Sequence, residues 1–183
     1  LEVHMTNINP LKAFGDDLLE VQNPARYLGG EYGQIVKKGD DYLNFTIAFP
    51  DLYEIGMSNQ AIKIIYNGLN ARQNIRCERV FTPDTDFEQL LKEKNVPLYT
   101  LETGIPLHET DIIGFSIGYE LGITDLLSIL DYGKVKKKKK DRSENDPIII
   151  AGGCGVTNPA SFSIFLDAVF IGEAENQFFD LIL

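Results

Sequence analysis

The chain has 183 residues, 17 basic against 27 acidic, a net charge of −10 and a hydrophobic fraction of 44%, which fits one globular domain with a sizeable core. That acidity disfavours nucleic-acid binding by the domain as a whole, and two cysteines are too few for a disulfide scaffold. No run approaches the ~18 consecutive apolar residues of a membrane span and no apolar stretch near the start marks a secretory signal, so a soluble, cytoplasmic protein is expected.

Residues 1–22 read as a tag remnant, Leu1-Glu2-Val3-His4 ahead of Met5, followed by a lead helix over 11–21 with Leu11, Phe14, Leu18 and Val21 on one side. Pro24 stops it. Residues 23–183 read as the domain proper. Arg26-Tyr27-Leu28-Gly29-Gly30-Glu31-Tyr32-Gly33 is too irregular for helix or strand. A β-branched and aromatic run predicts a strand over 42–49, ended by Pro50. Ile62, Ile65, Tyr66 and Leu69 at helical spacing predict a helix over 58–69. A second strand is expected over 76–81, after which Asp84 caps a helix with Phe87, Leu90 and Leu91 inside. Further strands are expected over 98–101, 111–117, 147–151 and 168–171, and helices over 120–130, 160–166 and from 177 on. The chain stops within that last helix without Gly, Pro or cap, as a piece of a longer protein would. Short strands alternating with helices give a parallel sheet, and continuous apolar runs such as Ile112-Ile113-Gly114-Phe115 fit strands covered on both faces. The expected fold class is α/β: a doubly wound, mostly parallel sheet in three α/β/α layers, Rossmann-like or flavodoxin-like.

In such sheets ligands bind beyond the carboxyl ends of the strands. Three predicted strand ends are rich in glycine and polar residues: 49–58, 114–120 and 151–159. Glycines there let a ligand approach the backbone, and helix amino termini offer free N–H groups; equally, tight βα turns use glycine whatever they bind. The candidate cofactor-binding residues are Asp51, Tyr53, Gly56 and Ser58 at the first end, Ser116, Gly118 and Tyr119 at the second, and Gly152, Gly153 and Asn158 at the third. No residue is assigned as catalytic or as a metal ligand. Neither G-x-G-x-x-G after the first strand nor a P-loop occurs, which argues against dinucleotide and P-loop nucleotide binding. A flavodoxin-like regulator holding a flavin or nucleotide ranks last, for want of a Thr/Ser-rich phosphate loop.

The ordered set Arg26-Tyr27-Leu28-Gly29-Gly30-Glu31-Tyr32, Phe49-Pro50-Asp51-Leu52-Tyr53-Glu54-Ile55-Gly56-Met57-Ser58, Ile150-Ala151-Gly152-Gly153 with Asn158-Pro159, and Phe170-Ile171-Gly172-Glu173-Ala174-Glu175 resembles the amino-terminal, cobalamin-binding-like domain that precedes a radical S-adenosylmethionine (SAM) domain in many bacterial proteins. The resemblance spans roughly residue 23 to the end. It implies a cofactor- or substrate-binding domain, non-catalytic alone, that positions its ligand over a downstream radical SAM domain in the same chain. The D-x-H-x-x-G signature of cobalamin domains aligns with Asp51-Leu52-Tyr53-Glu54-Ile55-Gly56, so Tyr53 replaces the cobalt-ligating histidine. A neutral phenol is a far poorer ligand than imidazole, and cobalamin is therefore expected without a protein histidine. The family's S-x-L is partly met by Ser116-Ile117-Gly118 and its Gly-Gly is met by Gly152-Gly153. The four-iron cluster of radical SAM domains needs C-x-x-x-C-x-x-C, which Cys77 and Cys154 cannot supply; cluster and SAM belong to the downstream domain.

The alternative is a degenerate docking or structural module binding no cobalamin, its strand-end pocket filled by Tyr53, Met57 and Tyr119. Tyr53 and Glu54 also fit an ordinary helix start, with Glu54 favoured by the dipole. Both cysteines read as small buried hydrophobes, and no histidine in the other strand-end loops could activate Cys154 as a nucleophile. His108 reads as a solvated surface residue, and Glu173 and Glu175 as exposed carboxylates or the resembled G-E-x-E. The basic run 134–140 reads as a disordered, solvated insertion, with a nucleic-acid contact as the sharper alternative.

Overall fold

A computed structural model of the chain describes residues 7–39, 41–174 and 176–182, and the backbone alone of residue 176. The expected tag remnant and Met5, as well as Glu175 and Leu183, lie outside those residues. Five parallel strands, β1 (Leu43–Phe49), β2 (Ile75–Phe81), β3 (Ile112–Ser116), β4 (Ile148–Gly152) and β5 (Ala168–Phe170), form one sheet in the order β2-β1-β3-β4-β5. The chain runs outward from β1 to β2, then returns past β1 to build β3, β4 and β5. The switch point lies between β1 and β3, and the crevice outside it is where such sheets take ligands.

The helices are α1 (Pro10–Phe14), α2 (Tyr53–Ser58), α3 (Gln60–Asn70), α4 (Thr85–Lys94), α5 (Ile123–Tyr132) and α6 (Asn176–Leu181). Alternation along the strands splits the core into two layers. Phe45 and Ile47 of β1 and Ile75 and Cys77 of β2 pack with Ile62, Ile65 and Leu69 of α3 and with Phe178 and Phe179 of α6. Ala48, Val80, Ile113 and Phe115 point the other way, onto Phe87 and Leu91 of α4 and Leu126 and Leu130 of α5. The sheet is thus covered on both faces, a three-layer, doubly wound α/β fold.

Local chemistry fixes the helix ends. The Asp84 carboxylate accepts the Thr85 N–H at 2.8 Å, and α4 closes on Asn95 in the left-handed region. Asn59 caps α3 by accepting from Ala61 and Ile62, so the predicted helix over 58–69 begins after an extended residue, with the short α2 before it. The predicted lead helix breaks at Gly15 (φ +57), where α1 gives way to a 3-10 turn over Gly15–Glu20. Phe14, Leu18 and Val21 are buried, whereas Leu11 is exposed.

Four expectations are corrected. Residues 98–101 form no strand. They make a single antiparallel bridge, Tyr99 to Pro106, and Leu101 N–H donates to Arg79 O at 2.9 Å; prolines at 97 and 106 lack the N–H a ladder needs. Residues 160–166 form a 3-10 turn over Pro159–Ser161 and loose turns rather than a helix; within them Phe162 and Leu166 alone reach the core, with Val156 just before. The basic run stays solvated, most of its lysines being exposed, but it is ordered rather than disordered: Lys136 pairs with Asp146 at 2.8 Å, Lys137 with Asp131 at 2.7 Å, and Arg142 reaches Asp167 and the carbonyl oxygens of Lys136, Lys137 and Phe165. Carboxylates offset the charge of Lys136 and Lys137, and the Arg142 bonds hold the backbone of the run in place. Cys77 is buried as expected, but Cys154 is exposed.

Among the described residues no helix is long and apolar enough to cross a membrane.

Candidate functional site

The β1 end turns through Pro50 into α2, and its candidate residues are taken up by contacts within the chain. The Asp51 carboxylate accepts its neighbour's Leu52 N–H at 2.8 Å, and its charge, after burial, helps raise the carboxyl pKa of Asp125 on α5. The Tyr53 ring meets Phe81 edge-on, centroids 5.6 Å apart, and its hydroxyl donates to the Glu31 carboxylate. Burial first, and that hydrogen bond second, push the phenol above the usual tyrosine range. Gly56 is buried where a Cβ would sit 2.2 Å from the Phe81 ring, so its smallness serves the packing of α2 on β2. Ser58 donates back to Ile55 O at 2.9 Å.

The lead explains this arrangement. From residue 26 to residue 37 it crosses the end and edge of β2 as a strap. The Arg26 guanidinium bridges Glu54 (2.7 Å) and Asp84 (2.9 Å), Tyr27 stacks on Phe87 with centroids 3.7 Å apart, and Gln34 donates to Glu102 O at 3.0 Å. Ile35 N–H donates to the Tyr66 hydroxyl at 2.7 Å, and Lys37 donates to the carbonyls of Arg72 and Ile75. Beneath it, β2 carries buried charges unusual for a strand. The Glu102 carboxylate accepts both the Arg79 backbone N–H (2.7 Å) and its Nε (2.6 Å), completing the ladder that an edge strand leaves open. The Arg79 guanidinium lies 4.3 Å from the Tyr66 ring centroid and donates to Met57 Sδ. Glu78 accepts from the hydroxyls of Thr100 and Thr103. Burial pushes the Glu102 carboxyl up to about 7, against the opposing pull of Arg79.

The other strand ends are open. An inner cavity of about 130 Å³ lies between the sheet, α3 and α6, lined by Ile47, Ile65, Ser116, Gly152, Phe170 and Phe178 among others. It adjoins an outer cleft of about 490 Å³ over the ends of β1, β3, β4 and β5, and the two share Ala61, Ser116, Gly153, Gly172 and Glu173. The outer volume falls in the range of about 300–1,000 Å³ typical of small-molecule sites. Its polar groups are Asn59, which caps α3, Ser116, Thr157 and Glu173. Gly153, at φ +104, passes so close to β3 that a Cβ would lie 2.4 Å from Ile117 O, whereas a Cβ on Gly118 would meet only open space. The turn at Gly153 swings Cys154 out to the cleft wall, where its thiol donates to Gly118 O at 3.0 Å.

Of the sequence-derived candidates, Ser116, Gly118, Gly152 and Gly153 thus meet around one connected cleft. Tyr119 stands half-exposed beside it, its backbone against Gly155, and Asn158 is exposed, capping the turn at Pro159–Ser161. Tyr53 lines a separate small pocket with Arg26, Arg79 and Phe81. Sequence reasoning missed Asn59, whose cap position before an apolar helical repeat was the available signal; Phe49 and Thr157 lay within the marked strand ends but were not singled out. Glu173 of the G-E-x-E run does line the cleft. His108 is half-exposed, 3.8 Å from Glu109. Among the described residues no three His, Cys, Asp or Glu side chains converge as a metal-binding group.

A model of the family described as radical SAM proteins, N-terminal, matches residues 61–183, more than half of the chain. The matched segment holds the β3, β4 and β5 ends and leaves the strap and residues 51–58 outside it. No curated protein matches the chain.

Proposed function

The chain belongs to the family of radical SAM N-terminal domains, and from that premise we propose that it holds a cofactor or substrate in the β3–β4 cleft for a radical SAM domain following it in the same polypeptide. The observation that carries this reading is that the apolar cavity of about 130 Å³ and the polar-rimmed cleft of about 490 Å³ share a wall of lining residues at the carboxyl ends of the strands. The inner space suits a flat apolar group, and Asn59, Ser116, Thr157 and Glu173 offer orienting hydrogen bonds at the mouth. Iron–sulfur cluster and SAM belong to the following domain, whose radical chemistry this one serves by presenting a ligand.

The resemblance to cobalamin domains makes cobalamin the first cofactor to try. The cleft suits an organic group, but the position of the usual cobalt ligand does not suit coordination, since the Tyr53 phenol is kept protonated and bonded to Glu31. The same bond favours the second reading, a docking module without cobalamin. That reading needs the cleft filled by Tyr53, Met57 and Tyr119, none of which lines it.

Titration of the protein with hydroxocobalamin, followed by visible spectrum and melting temperature, tests the proposal. Saturable binding is expected, with a stabilisation of about 2.7 kcal/mol at a hundredfold excess over Kd. G118V, which fills the outer cleft, is expected to remove it. A flat melting curve at the highest concentration would reject cobalamin and return the site to the substrate of the parent enzyme.

A further inference from the structure

We infer that the β1–α2 segment serves in this chain as the anchor of the lead strap and supplies no ligand to a cofactor in the cleft. Position 53 is where the resembled domains place their cobalt ligand, and here its side chain is committed elsewhere. The Tyr53 ring lies against Phe81 and its hydroxyl is bonded to Glu31 of the strap. One residue on, Glu54 takes the Arg26 guanidinium that also holds Asp84 at the start of α4. Met57 takes a donor from Arg79. Three side chains of the six-residue α2 therefore face the strap and the β2 edge. Gly56 locks that orientation, because α2 lies against the Phe81 ring with no room for a Cβ, and Phe49 stands beside it. A helix so seated turns position 53 away from the cleft, to which the surrounding chain gives Phe49 before the segment and Asn59 and Ala61 after it.

The anchor half of the inference stands on these contacts alone; the ligand half rests on the proposed use of the cleft. Two measurements keep them apart. In a melting cycle without cofactor, E31A and Y53F are each expected to lower the melting temperature by about 2–4 °C, the scale of one hydrogen bond in a domain of this size. The double variant should fall no further than either single one. Additive losses would overturn the anchor. In the second measurement, Y53H and the unaltered protein are titrated with hydroxocobalamin. Identical visible spectra and midpoints are expected, including the case in which neither binds, which would reject cobalamin while leaving the anchor intact. An imidazole-type band shift, or binding gained by Y53H alone, would overturn the ligand half.

Discussion

The two ends of the row of strand-end loops differ in kind. At β2 the backbone edge is closed by Glu102, guanidinium groups are bonded on several sides, and a strap lies across everything. At β3 to β5 the loops make few side-chain bonds, Gly118 faces open space, and Ile171 of the cleft lining remains exposed, as does Tyr119 beside it. Polar and glycine-rich loops of similar composition thus take opposite roles. Where neighbours satisfy the polar groups, the loop is structure; where the groups are left to face a cavity, the loop is available to a ligand.

The largest expected effect probes the closed end. E102A leaves Arg79 buried without its carboxylate, and breaking a buried pair on one side costs about 3–5 kcal/mol. Urea unfolding would read this, together with faster amide exchange in residues 26–37 and no change in the strands β4 and β5. Loss spread evenly over the sheet would erase the distinction between the two ends.

A pair of glycine substitutions tests the open end. G153A forces a Cβ against Ile117 O at a φ of +104 and is expected to cost about 1–3 kcal/mol. G118A places its Cβ in open space and should stay within about 0.5 kcal/mol of the parent protein. Equal costs in thermal melts would mean that the cleft floor is not rigid at one glycine and free at the other.

The pH response belongs to the closed end. The folded pKa of Glu102, about 7, exceeds its ordinary 4.5, so the folded state binds more protons between these values. Its contribution to stability is therefore full below about pH 4.5 and is lost as the pH rises through about 7. The melting temperature should fall from about pH 5 to pH 8, and E102Q should flatten that slope.

The smallest effect is expected at the basic run, remote from both ends. K137A removes an exposed pair with Asp131, at a cost of at most about 1 kcal/mol. RNA retention at low salt should not change, since the net charge of −10 repels phosphate backbones. A drop in retention would restore the nucleic-acid contact that net acidity argues against.

The sequence by itself determined the layers. Apolar runs at Ile112–Ser116 and Ile148–Gly152 fit strands covered on both faces, and the spacing of Ile62, Ile65 and Leu69 set a helix against them, because burial of apolar surface acts through local periodicity. It also marked Ser116, Gly118, Gly152 and Gly153 by their place at strand ends. Tertiary structure alone decided which strand-end residues face a cavity. Tyr53 opens the helix after β1 and Ser116 ends β3, yet Glu31, 22 positions away along the chain, claims the first while the second faces the cleft. The run at 98–101 lost its strand for the same reason: the partner it needed was the edge of β2, and what that edge accepted was one N–H from Leu101 and one carboxylate from Glu102. Long-range hydrogen bonds of this kind leave no periodicity in the sequence, so they become visible only when the chain is folded.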